Sequence, residues 1–240
     1  MVQVSIYFVK FFKLPIIFII LGLFSLIFVE LDRRVYDRYI FNNSGSNIEI
    51  IKSIRPSKEF VIIGHGFAGS KEMMRQIAYD VANAGSNAVL FDFIGHGSNQ
   101  HKLVNQPTEI TGTTQQLVNQ LSDIIKFIYE KYGNEISISL VGHSMASDIV
   151  IRASADKRIN SVIAISPYST GITQDFPKDL LLISGQFENH LRSHALQMVK
   201  TFKTEAKENT EYADEKIRRK ASYIQNTGHV SVIYAPQTTK

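Results

Sequence analysis

A serine in a turn flanked by small residues, a histidine near the C-terminus and a carboxylate between them could together do covalent chemistry. Residues 138–147 read ISLVGHSMAS. A β-branched run leads into Gly142-His143-Ser144-Met145-Ala146 and then into a helix-forming segment. A tight strand-to-helix turn of this kind raises a serine hydroxyl above a sheet, and the positions two before and two after the serine must be small because backbone passes close by. Gly142 and Ala146 meet that need, with alanine where a second glycine is usual. The hydroxyl is a weak nucleophile at neutral pH and needs a base. Seven histidines are available. His229, in NTGHVSV, follows the last expected strand. His143 is held inside the turn, His65 lies in a glycine-rich loop, and His96 and His101 follow an earlier strand. A third group must orient the imidazole and stabilise its cation. Glu188, three residues past Gly185 and after the run DLLLIS, is placed for that. An acid in the first turn of a helix is also favourable for its own sake, so Glu188 has a plainer reading too.

A second motif competes. Gly64, Gly66 and Gly69 in GHGFAGSKE spell G-x-G-x-x-G after an apolar run, and Asp92 stands 23 residues further on. That is the pattern of a dinucleotide-binding oxidoreductase. It accounts for one loop and one acid and leaves the serine, the other histidines and Glu188 unexplained. His190 and His194 are four apart, but LRS between them lacks the glutamate of a zinc-binding H-E-x-x-H. They read as surface histidines on a helix.

These residues need elements to hold them. Strands are expected at 47–52, 60–63, 88–93, 136–141, 161–165, 180–184 and about 222–225, being short, β-branched and bounded by turn residues. Helical spacing recurs over 70–84 (Met73, Ile77, Val81), through Leu117, Leu121, Ile124, Ile125 and Ile128, after Ser144, and from about Glu188. Alternating strands and amphipathic helices imply an α/β fold, a mostly parallel sheet with helices on both faces. Chemistry then collects at the carboxyl ends of the strands, where every motif above falls. The charged stretch 203–220 reads as a solvated helix or surface excursion.

From about residue 47 onward the chain resembles the α/β-hydrolase superfamily, especially small esterase-like and dienelactone-hydrolase-like members. HGFAGS, DFIGHG, GHSMAS and GHVSV stand in the expected order. The resemblance implies an α/β-hydrolase fold in which Ser144, Glu188 and His229 form the triad. The backbone N–H groups of Phe67 and Met145 then form the oxyanion hole. It implies a serine hydrolase acting on an ester or similar small-molecule acyl substrate, with no cofactor. Dienelactone hydrolases proper use a cysteine, and this chain has none. Eleven residues follow His229, where a closing helix is usual, so a truncated C-terminal helix is expected. Only about a dozen residues, 167–178, are available for a lid, so the mouth should be open. A scaffold of the same fold that binds without catalysis is the alternative.

Composition sets the remaining bounds. The absence of cysteine excludes disulfides and thiolate metal sites. Residues 35–240 carry 22 basic and 20 acidic groups, a balance that gives no electrostatic case for nucleic acid. Residues 14–29, LPIIFIILGLFSLIFV, hold no charge, and Phe11 and Phe12 extend the run if Lys13 snorkels. No small-residue cleavage site follows in FVELDRR. The expectation is a single-pass membrane anchor over 1–34 and a hydrolase domain over 35–240. The short basic N-terminal tail favours an extracytoplasmic domain, although Arg33, Arg34 and Arg38 flank the other side.

Overall fold

The apolar runs pair as strands of one sheet in a computed structural model, which describes residues 2–33, 37–43, 46–104 and 110–238. The strands are β1 (Arg38–Asn43), β2 (Ser46–Ile51), β3 (Glu59–Gly64), β4 (Asn87–Leu90), β5 (Ser137–His143), β6 (Ile159–Ile165), β7 (Asp179–Gly185), β8 (Glu211–Ala213) and β9 (Arg218–Ile224). Their order across the sheet is β1-β2-β4-β3-β5-β6-β7-β9-β8. Pairing is parallel from β4 through β9 and antiparallel at both edges.

Period-two alternation buries both faces of the sheet. Ile62, Val89, Leu140 and Leu182 join one core with α3 (Gln115–Tyr132), α4 (Met145–Ala153) and α5 (Asn189–Lys200). Their neighbours Ile63, Leu90, Val141 and Ile183 are buried outside that core. α2 (Arg75–Ala84) packs on β4 and β2, and a 3-10 turn at Ser231–Tyr234 packs on α2 and β7. The strand order reverses at β3, with β4 on one side and β5 on the other. A crevice opens at such a switch point, outside the carboxyl ends of the strands. It lies between the glycine loop after β3 and the serine turn after β5.

Two edges depart from the sequence reading. β1 was not expected, and of the two readings of 203–220 the solvated helix is not met, while most of 203–216 is exposed and β8 pairs antiparallel with the start of β9. Arg219 within it is fully buried, donating to the carbonyls of Thr173 (2.9 Å), Gln174 (3.2 Å) and Pro177 (3.0 Å) and to Thr201 Oγ1 (2.8 Å). It pins the segment between β6 and β7, which forms no helix.

Contacts divide the chain into Met1–Asp37 and Arg38–Lys240. The boundary expected between residues 34 and 35 lies outside the described residues. The first unit is the helix α1 (Val2–Arg33). The expected spanning helix is not met: among the described residues no helix is long and apolar enough to cross a membrane. The stretch of α1 without a charge, residues 14–29, is 16 residues, short of the roughly 20 apolar residues a bilayer needs.

Candidate active site

Ser144 follows β5 with φ 55° and ψ −117°, a left-handed conformation rare for a residue with a side chain. Its N–H donates to Ile165 O (2.9 Å), and its carbonyl accepts from Ser147 N–H (2.9 Å), so the turn is fixed on both sides. Gly142 is obligatory, because a Cβ there would collide with the carbonyl of Ala146. Ala146 has room for its methyl because it faces Gly64, where a Cβ would come within 3.0 Å of it. The alanine that departs from the usual motif is thus matched by a glycine on β3.

His229 lies in the loop after β9. Its Nε2 is 2.8 Å from Ser144 Oγ and its Nδ1 is 2.6 Å from Glu188 Oε1. Glu188 immediately precedes α5 and makes no side-chain cap bond there. Its buried Oε2 accepts instead from Gly185 N–H (2.5 Å) and Ser166 Oγ (2.8 Å). Ser166 carries φ 50° at the end of β6, and no sequence pattern marked it. The three side chains singled out in the sequence form one hydrogen-bonded line.

The remaining histidines near this line are committed. His143 Nε2–H donates to the His229 carbonyl (2.8 Å), and burial pushes its pKa down. His65 Nδ1–H donates to Gly66 O (2.9 Å) while its Nε2 accepts from Phe93 N–H (3.1 Å). Burial lowers its pKa as well. His194 stacks on Tyr168, with ring centroids 4.4 Å apart.

The glycine loop closes as a turn, with Gly69 N–H on Gly66 O (3.1 Å) and Ala68 at φ 56°. Gly66 lies against the serine, where a Cβ would come 3.1 Å from both Ser144 Cβ and His143 Nδ1. Phe67 N–H donates no hydrogen bond among the described residues. Met145 opens α4, so its N–H is one of the donors a helix start leaves free. Asp92 is buried and already engaged within the protein. It accepts from Lys71 N–H (2.8 Å), Lys71 Nζ (2.9 Å), Ser98 N–H (2.9 Å) and Ser98 Oγ (2.8 Å). Burial raises its pKa, but these bonds together outweigh it and hold the carboxyl at about 2. The dinucleotide reading fails on that acid.

Chemically, the arrangement supplies an exposed hydroxyl, a base in contact with it and a buried anion behind the base. Comparison with known proteins bears on the fold and the family. A family model described as serine aminopeptidase, S33, matches residues 55–229. The solved structure of TT1662 from Thermus thermophilus is similar at 14% identity and TM-score 0.61, covering 85% of this chain and 93% of that one. An esterase of Pyrococcus furiosus is similar at 15% identity and TM-score 0.60, with 85% and 87% covered. A dienelactone hydrolase of Anabaena variabilis follows at 15% and 0.59, with 85% and 92% covered. A comparison with curated protein sequences finds no match. The similar folds and the long family match lead to one conclusion: the chain belongs to the serine aminopeptidase, S33, family of α/β-hydrolases.

Proposed function

We propose that the protein is a serine hydrolase that cleaves esters or similar acyl compounds by covalent catalysis. The observation that carries this reading is the line Ser144 Oγ–His229–Glu188, with contacts of 2.8 and 2.6 Å. Ser144 Oγ attacks the acyl carbonyl while His229 Nε2 takes its proton. Glu188 keeps Nδ1 protonated and stabilises the imidazolium. The carbonyl oxygen, now negative, is met by the N–H groups of Phe67 and Met145; preorganised donors of this kind are often the largest catalytic contribution. His229 then protonates the leaving group. Water, deprotonated by the same imidazole, releases the acid and restores Ser144.

Replacing Ser144→Ala should abolish labelling by a fluorophosphonate probe and reduce ester turnover roughly 10⁴-fold or more. Undiminished labelling of that variant would show another nucleophile. Assaying acyl p-nitrophenyl esters beside aminoacyl p-nitroanilides tests the bond: a preference for the anilides would mark an aminopeptidase instead.

We also infer that α1 associates with lipid. Thirteen large apolar side chains between Leu14 and Leu31 are at least half exposed, and apolar surface of that extent calls for a cover other than water.

A further inference from the structure

A pocket of about 300 Å³ adjoins the serine turn, walled by Phe67, Leu103, Thr114, Leu117, Met145 and Ile149. Two of these residues, Phe67 and Met145, carry the N–H groups proposed to meet the carbonyl oxygen. The wall comes from the loops after β3 and β4, the start of α3 and the body of α4. None of it comes from β6, β7 or β9. His229 and Glu188 arrive from that opposite half of the sheet, after β9 and β7.

This division assigns the two ends of a substrate. The imidazole that accepts the serine proton must later protonate the leaving group, so the leaving group lies on the His229 side. The acyl chain, fixed at the same carbonyl carbon, is directed to the other side and into the pocket. There it meets mostly carbon. Among the described residues of the wall Asp148 carries the charged side chain, and its carboxylate accepts from Arg152 Nε (2.9 Å) and Ser169 Oγ (2.5 Å). That negative group disfavours an acyl chain ending in a second carboxylate. On the leaving-group side, Tyr168, Phe187 and Val230 are exposed. The volume lies at the small end of small-molecule sites.

We infer that the substrate is an ester of an uncharged, short to medium aliphatic acid, and that the pocket beside Phe67 and Met145 selects it by its acyl chain. The inference rests on the serine-hydrolase reading above. The test is hydrolysis of p-nitrophenyl acetate, hexanoate and dodecanoate by the full chain. A methylene fully removed from water is worth about fourfold in binding, so kcat/KM for hexanoate should exceed that for acetate by roughly tenfold or more. It should fall again for dodecanoate, which outgrows the space. Thr114 is half-buried and makes no cap bond with its side chain. Thr114→Trp fills the pocket and should lower the hexanoate-to-acetate ratio roughly tenfold. Leu103→Ala widens the pocket and should move the optimum towards dodecanoate.

Fluorophosphonate labelling of each sample reports a folded, reactive Ser144. Labelled enzyme whose chain-length ratio is unmoved by both variants overturns the pocket assignment alone. A wild type that prefers the mono-p-nitrophenyl ester of glutaric acid overturns it too. A folded wild type that neither labels nor cleaves any ester overturns this inference and the hydrolase reading together.

Discussion

Glu188 faces three donors at once: His229, Gly185 N–H and Ser166 Oγ. Ser166 is buried and holds a left-handed backbone, a strained state that persists where the surroundings over-determine it. A hydrogen bond to a charged group is worth about 1.5–3 kcal/mol. Ser166→Ala removes one of the two donors on Glu188 Oε2 and loosens the carboxylate behind His229. Steady-state ester kinetics should show kcat reduced roughly tenfold with KM little changed, because Ser166 lies out of the substrate's reach. A change confined to KM would count against this role. Ser144, His229 and Glu188 were legible because each stands at a fixed offset from a strand end. Ser166 was not, since its part depends on a positive φ and on a partner 22 positions away.

At the level of elements, Asp92 ties the loop after β4 to the turn after β3, through Ser98 and Lys71. Its folded-state carboxyl sits at about 2, below the ordinary value of 3.8. A depressed carboxyl contributes stability that is complete above its unfolded pKa and is lost as pH falls through the folded one. The contribution is roughly 2 kcal/mol at neutral pH. Urea denaturation of Asp92→Asn should therefore show a deficit of about that size at pH 7, shrinking between pH 4 and 2. A deficit independent of pH would mean that shape, not charge, is what Asn lacks. The parallel core was legible because β3 and β7 carry continuous apolar runs ending in glycine, and β5 alternates apolar and serine positions before Gly142. The edges were not. β9 opens with Arg218-Arg219-Lys220, where the burial of Arg219 depends on carbonyls from 173–177 that no local pattern announces.

Across the whole chain, α1 and the domain from Arg38 onward make opposite demands on solvent. One exposes a run of Leu, Ile and Phe, and the other buries its apolar strands on both faces. In a Triton X-114 phase separation the full chain should enter the detergent phase, and a chain beginning at Arg38 should stay in the aqueous phase. Partition of both into water would remove the lipid association proposed for α1.

The order of the sheet has a consequence for biosynthesis. From β3 onward the strands β5, β6, β7 and β9 are laid down outward in the order in which they are translated. Ser144 and Glu188 are therefore laid down before His229, which closes a loop of 85 positions onto the serine only after β9 docks. On the mechanism proposed above, a nascent chain folded through β7 would hold Ser144 without its base, which the last parallel strand to join the sheet supplies.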